Sequence, residues 1–345
     1  MVSLRSLFYY AALAAPISGS PVLESGRRSV STKVIAEMPV GSFLESTIIR
    51  PNGDILATSA MGSPKVYTVK GPSSRNPSVE EVASAYGVQS LWGITEIPPI
   101  NGVETYVFVG GNLTSLTPLT PAVGSWQAFR LSIPKRGVAK VEQIGDLGRE
   151  TVLLNGLAPI PGSPGSVLIA DSGRGTMGRL NVIEKKWEID AFAEPEMGVL
   201  PNSPLGMGVV AAKFRDGHLY FAAAPTFIYR LRVDWKGSKI PGAKVELVAD
   251  VSEKFSGIDD FIFDRAGNIY FASNAPSNAL GYINTRTGEN RIVSGGANET
   301  ILADCASLAF GRSQNDKNVL YIARGRGFTD EGGFGKVVAV SDLDK

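Results

Sequence analysis

Six short apolar runs punctuate this chain, each closing on a small or polar residue. They are Ile55-Leu56-Ala57-Thr58, Tyr106-Val107-Phe108-Val109, Val167-Leu168-Ile169-Ala170, Leu219-Tyr220-Phe221-Ala222, Ile269-Tyr270-Phe271-Ala272 and Leu320-Tyr321-Ile322-Ala323. They recur about every fifty residues, once nearer sixty, the period of a propeller or a strand-built solenoid. Turn signals stand just before four of them: Pro51-Asn52-Gly53-Asp54, Pro164-Gly165-Ser166, Arg215-Asp216-Gly217 and Arg265-Ala266-Gly267-Asn268. These residues supply the positive φ of a tight hairpin turn. Each unit therefore reads as strand, turn, strand and more β-rich sequence. Six four-stranded blades around a central channel leave few exposed sheet edges, so the expected fold is an all-β, six-bladed β-propeller.

In that fold the first strand of each blade starts at the face where the second strand ends. Counting back from the turns places Glu45, Trp92 (or Leu91), Asn155, Met207, Asp259 with Asp260, and Ala306 with Ser307 at the first-strand starts. Ser59, Gly110, Asp171-Ser172, Ala223-Ala224, Ser273-Asn274 and Arg324 mark the second-strand ends. Blade two is the least regular, because Pro98-Pro99-Ile100-Asn101-Gly102 is expected to lengthen its turn. Long loops rich in Gly, Pro and Thr should rise at the same mouth: Asn112 to Ser125, Asn274 to Asn278 and Arg324 to Gly335. Loops on a rigid scaffold are where binding residues concentrate. Lys33-Val34-Ile35-Ala36 is expected to pair with the last blade and close the ring.

Composition narrows the function classes. A net charge of +1, from 34 basic and 33 acidic residues, favours neither nucleic acid nor an anionic membrane surface as partner. Residues 1–20 read as a secretory signal: Arg5, the apolar stretch Leu7 to Ile17, then Ser18-Gly19-Ser20. An ordinary N-terminal tail is the alternative, and the stretch is too short for a membrane anchor. Residues 21–32 would be a linker or propeptide containing the dibasic Arg27-Arg28, and 33–345 a single propeller. The sequons at Asn112 and Asn298 agree with a secreted or lumenal protein. One cysteine, Cys305, allows no intrachain disulfide; its apolar run reads as a buried strand.

The expected mouth has two kinds of surface. Glu45, Asn155, Asp171, Asp259 and Asp260 offer oxygens; Trp92 and Met207 do not. Asn274 and Arg324 complete the polar contacts, while Phe227 and Tyr229 form a wall or pack between blades. Convergent oxygens suit Ca²⁺, which takes about six to eight of them, or equally a hydrogen-bonded plug. The only histidine, His218, sits in a turn at the opposite face, which argues against a His-based triad. One His and one Cys exclude an ordinary zinc site. The Gly-rich pieces around Arg174 and Arg326 precede no helix, so neither reads as a nucleotide loop.

Four stretches resemble the gluconolactonase/senescence-marker-protein superfamily: Glu45 to Gly53, Leu154-Asn155-Gly156-Leu157-Ala158, Ile169-Ala170-Asp171-Ser172 and Asp259-Asp260-Phe261-Ile262-Phe263-Asp264. Its fungal secreted branch looks most similar, with Ala309-Phe310-Gly311-Arg312 as a further mark. The resemblance implies a divalent metal on a Glu, two Asn and an Asp. Glu45, Asn155 and Asp259 match three of these, while Leu91-Trp92-Gly93 stands where the other Asn falls. The chain also resembles the hetero-Diels–Alderases of tropolone sesquiterpenoid pathways, which implies a reaction without cofactor on hydrophobic small molecules. In that reading Trp92, Met207 and Phe227 hold the apolar partner, Asn155 or a loop Arg donates to a carbonyl, and Glu45 and Asp259 orient. Three functions stay open: such a cycloaddition enzyme, a Ca²⁺-dependent lactone hydrolase, and a non-catalytic binding propeller.

Overall fold

The computed structural model describes residues 30–343 apart from 117–118, 202, 204–205, 224 and 326–333. The expected signal, the dibasic pair, Ala224 and Arg326 lie outside the described residues. Six four-stranded antiparallel sheets and one small hairpin make up the fold. The only helix among the described residues is a single 3₁₀ turn, Pro195–Met197. None is long and apolar enough to cross a membrane.

Blades one to five span 43–84, 90–146, 154–192, 209–250 and 261–295. Their inner strands touch in order, and the inner strand of blade six, Cys305–Phe310, returns to that of blade one, Phe43–Ile49. This makes a closed ring of six blades. The outermost strand of blade six is the N-terminal Ser31–Glu37, paired antiparallel with Lys336–Ser341. Ring closure across the termini is as the sequence suggested, and the strand starts two residues earlier than the expected boundary.

The turn residues do what their chemistry permits. Gly53, Gly165, Gly217 and Gly267 all have positive φ, from +72° to +90°. A side chain there would be strained. Blade two departs from expectation. Pro98 and Pro99 do not lengthen the turn; they sit inside one long inner strand, Ser90–Ile100, which turns tightly at Asn101-Gly102. The ladder shifts register between Ile97 and Ile100, so the prolines fall at a bulge, where the missing N–H costs nothing. The expected loop after this blade's second strand carries its own hairpin, Leu113–Leu116 with Leu119–Pro121.

Apolar side chains fill the spaces between blades. Phe108 stacks on Phe129 with ring centroids 5.2 Å apart, and Trp126 is fully buried against the edge of Trp92 at 5.9 Å. The inner strands approach so closely at the channel that two positions admit only glycine. A Cβ on Gly93 would stand 2.2 Å from the Asn155 carbonyl oxygen, and one on Gly156 2.7 Å from that of Val210.

Candidate active site at the propeller mouth

Two cavities lie along the axis. One, of about 220 Å³, is the channel itself, lined by Glu45, Thr47, Gly93, Asn155, Lys213, Asp259 and Asp260 among others. The second, of about 190 Å³, opens at the mouth between blades four and five. Its walls include Met207, Pro225, Ile258 and Pro276, and its polar groups are Ser203, Ser256, Asp259 and Asn274. Asp259 and Val210 belong to both, so they form the floor between pocket and channel.

The backbone fixes that floor. The Asp259 N–H donates to the Ala272 carbonyl and the Ala272 N–H to that of Asp260, both at 2.9 Å. The Ile258 N–H donates to Pro225 at 2.8 Å, tying the loop of blade five to the top of blade four. Met207 is held by Ser203, whose hydroxyl accepts from the Met207 N–H at 3.1 Å. The Asn274 amide donates to Asp259 Oδ2 at 3.1 Å, which turns the carboxyl's other oxygen away from the amide.

Charge at the floor is crowded. Asp260 is neutralised by Lys213 at 2.8 Å and accepts from the Ser307 hydroxyl at 2.9 Å. Burial, then the charge on Asp260, push Asp259 up to about 8, against the opposing Asn274 hydrogen bond. Asp259 therefore keeps its proton to much higher pH than a free carboxyl, and in that form it can donate. Glu45 is also raised well above its ordinary value, by burial first and then by Asp259 and Asp260. Glu45 and Asn155 are 7% and 6% exposed, and among the described residues neither side chain has a hydrogen-bond partner. Both line the channel, where water or something else can meet their polar atoms.

Whether that something is a divalent cation can be tested on the donor set. Three matching oxygens face the channel, but blade two offers Gly93 there, with no side-chain oxygen. Among the described residues no three acidic, His or Cys side chains are placed to share an ion. The residues fit a Ca²⁺ cage incompletely, and no step is derived through one.

The structure gathers Met207, Asp259 and Asn274 at the mouth pocket, and Glu45, Asn155, Asp259 and Asp260 in the channel below. It brings the other candidates to neither cavity. Trp92 is 6% exposed and packed between blades, its ring N–H donating to Ser90 Oγ at 3.0 Å. Phe227 leans on Tyr229 with centroids 5.7 Å apart. Asp171 accepts from the backbone N–H groups of Val152, Leu153 and Arg174 at 3.0 to 3.2 Å, and burial raises its pKa in spite of them. Arg324 is buried and donates to the Thr300 and Gly325 carbonyls. Asn298 is exposed, whereas Asn112 is half-buried and accepts from the Gln89 N–H at 2.9 Å. Cys305 is buried, and burial pushes its thiol up to about 12. His218 sits on the far face, as its turn position implied.

Sequence reasoning missed Lys213, Pro225 and Ile258. Lys213 left a signal, since it interrupts the apolar strand Val209-Val210-Ala211-Ala212 on the same face as Ala211. Pro225 and Ile258 left none, because loop packing alone brings them to the pocket.

No family model matches the chain. Two curated proteins described as "Putative hetero-Diels-Alderase" are similar to it along most of their length. One, from Phoma sp, is 25% identical over 332 residues, covering 90% of each chain. The other, asR5 from Sarocladium schorii, is 26% identical over 343 residues, covering 89% of this chain and 83% of that one. Among solved structures, the calcium-binding protein regucalcin from Agrobacterium tumefaciens superposes with a TM-score of 0.57 at 16% identity, over 91% of this chain and 95% of that one. The PQQ-bound aldose sugar dehydrogenase of Streptomyces coelicolor gives 0.56 at 14% identity, over 91% and 99%. At such identities the structures share the fold alone. The chain is thus a six-bladed propeller whose sequence is similar, along about nine-tenths of its length, to two proteins described as putative hetero-Diels-Alderases.

Proposed function

We propose that the protein is a pericyclase that joins an o-quinone methide to a terpene alkene by intermolecular hetero-Diels–Alder cycloaddition in the mouth pocket between blades four and five. The observation that carries this reading is the pocket's make-up: apolar walls over a floor whose central polar group is the Asp259 carboxyl, held by the Asn274 amide and made harder to ionise by its burial. In the reaction the four-atom C=C–C=O unit of the quinone methide and the alkene form one C–C and one C–O bond, and no atom leaves. Negative charge grows on the carbonyl oxygen as bonding proceeds. A preplaced O–H donor stabilises that charge, and such a donor is worth on the order of a hundredfold in rate. Met207, Ile258 and Pro276 hold the alkene partner beside it, which lowers the entropic part of the barrier. Water would quench the quinone methide, so apolar walls also protect it. A cleaved signal at 1–20 would place this chemistry in the secretory lumen or outside the cell.

A second reading, Ca²⁺-dependent lactone hydrolysis, is favoured by the unpartnered Glu45 and Asn155 oxygens in the channel. One experiment separates the two. Purified protein is given a quinone methide generated in solution and a sesquiterpene alkene, with and without chelator, and adduct yield and enantiomeric excess are measured. Enantioselective acceleration that survives chelator and is lost in Asp259→Ala is the expected result. Racemic adduct at the background rate, together with chelator-sensitive lactone hydrolysis, would replace the first reading with the second.

A further inference from the structure

The face opposite the mouth carries a surface that the reaction does not use. The turns joining third and fourth strands of blades two, three and four project there, at 134–139, 182–185 and 233–244. Each presents one large apolar side chain to solvent: Val138 is 78% exposed, Ile183 62% and Trp235 71%. The turns are tied side by side. Lys185 Nζ of blade three meets Glu142 Oε1 of blade two at 2.8 Å, and Arg179 of blade three donates to the Gly237 carbonyl of blade four at 3.1 Å. The blade-four turn also lies hard against blade three: a Cβ on Gly162 would stand 1.7 Å from the Trp235 carbonyl oxygen. The indole is thus displayed by a turn that is fixed in place.

Around these three tips stand Lys135, Arg136, Lys140, Lys186, Lys236 and Lys244, all exposed. Among the described residues none of them forms an ion pair, whereas Lys185 and Lys239 are matched by Glu142 and Glu194. Of the acids in the same turns, Asp234 is occupied by the backbone N–H groups of Lys236 and Ser238. Asp234 keeps its charge all the same, so in these turns it and Glu184 stand against the six cations. A chain with a net charge of +1 therefore concentrates positive charge on one sector of one face.

We propose that this sector docks the protein on an anionic lipid bilayer, with the mouth turned towards solvent. Separate convex tips bearing Val, Ile and Trp among lysines suit a headgroup layer, where indoles settle and aliphatic tips reach the acyl boundary. Unpaired Lys and Arg are drawn to anionic headgroups. Nucleic acid would use the cations and leave the aliphatic tips without a role.

The test is co-sedimentation with phosphatidylcholine vesicles, with and without phosphatidylserine, at low and high salt, alongside tryptophan emission. The wild type is expected to bind only the phosphatidylserine vesicles, with a blue shift that salt reverses. The triple variant Lys135→Glu, Arg136→Glu, Lys236→Glu should weaken binding about a hundredfold. Trp235→Ala should remove the blue shift and weaken binding about tenfold. Adduct formation should be unchanged in both variants. No binding to phosphatidylserine vesicles at low salt, equal binding to pure phosphatidylcholine, or full binding by the triple variant would overturn the proposal. A dimer in sedimentation equilibrium that Trp235→Ala dissolves would assign the face to a second copy of the chain instead.

Discussion

Titrating Asp259 should weaken the fold as pH rises, and the sign of that slope separates a neutral acid from a metal ligand. A carboxyl moved from its ordinary 3.8 to about 8 keeps its proton in the folded state across a window where the unfolded chain has lost it. Its contribution is then fully present below pH 3.8 and is lost as pH rises through about 8. At about 1.4 kcal/mol per pH unit the full swing is roughly 6 kcal/mol. Asp259 keeps part of its surface open to the pocket, where solvent screens its charge, so the effect to look for is about 2–3 kcal/mol. For a chain of this size that is a fall in melting temperature of about 5 °C. Melting curves from pH 5 to 9, without and with chelator, are the assay. Asp259→Asn cannot ionise and should melt with a shallower slope, the remainder coming from Glu45, which is raised by the same causes. Activity should follow the same titration and fall above about pH 8. Parallel slopes in the two proteins, or a wild type that becomes more stable with rising pH, would refute the reasoning; the second outcome is what a bound cation would cause.

Other expectations are simpler. Met207→Ala, which shortens a pocket wall, should lower kcat/KM about tenfold in the adduct assay while shifting the melt by a few degrees at most. Lys213→Met leaves Asp260 unpaired beside Asp259 and should cost about 1–3 kcal/mol in urea denaturation; adding Asp260→Asn should restore much of it. Gly93→Ala must force two inner strands apart against the 2.2 Å contact with Asn155, and should cost about 2 kcal/mol or more by the same measurement. Glu45→Gln should leave adduct yield within about threefold, since Glu45 lies in the channel and not in the mouth pocket.

The ring was legible because each blade repeats a local rule. A turn glycine and a run of β-formers mark the second strand, and five of its six ends fall on the residues read from the sequence, from Gly110 to Arg324, within one position. Blade two misled because proline usually ends a strand, yet Pro98 and Pro99 sit at a bulge where no ladder bond is required. The site was less legible for a reason of register. Glu45 and Asn155 face the channel, but in blade two the facing residue is Gly93 and its neighbour Trp92 turns between blades. Side chains alternate along a strand, so an error of one position exchanges the two surfaces. The mouth pocket itself comes from loop-to-loop contacts such as Ile258 to Pro225, which no spacing in the chain encodes.

The strand that closes the ring has a history as well as a position. Ser31 pairs with Ser341, about three hundred positions later, so the first described strand to be synthesised is the last to find its partner. Blades one to five can assemble as they emerge, while Lys336–Ser341 waits with an open edge until Ser31–Glu37 returns. Joining ends so far apart carries an entropic cost that grows only slowly with length, but an unpaired edge recruits any matching strand. Crowded refolding therefore offers each molecule a choice between its own N-terminal segment and a neighbour's. Dilute refolding should yield monomers, and concentrated refolding should yield chains linked by exchanged first strands.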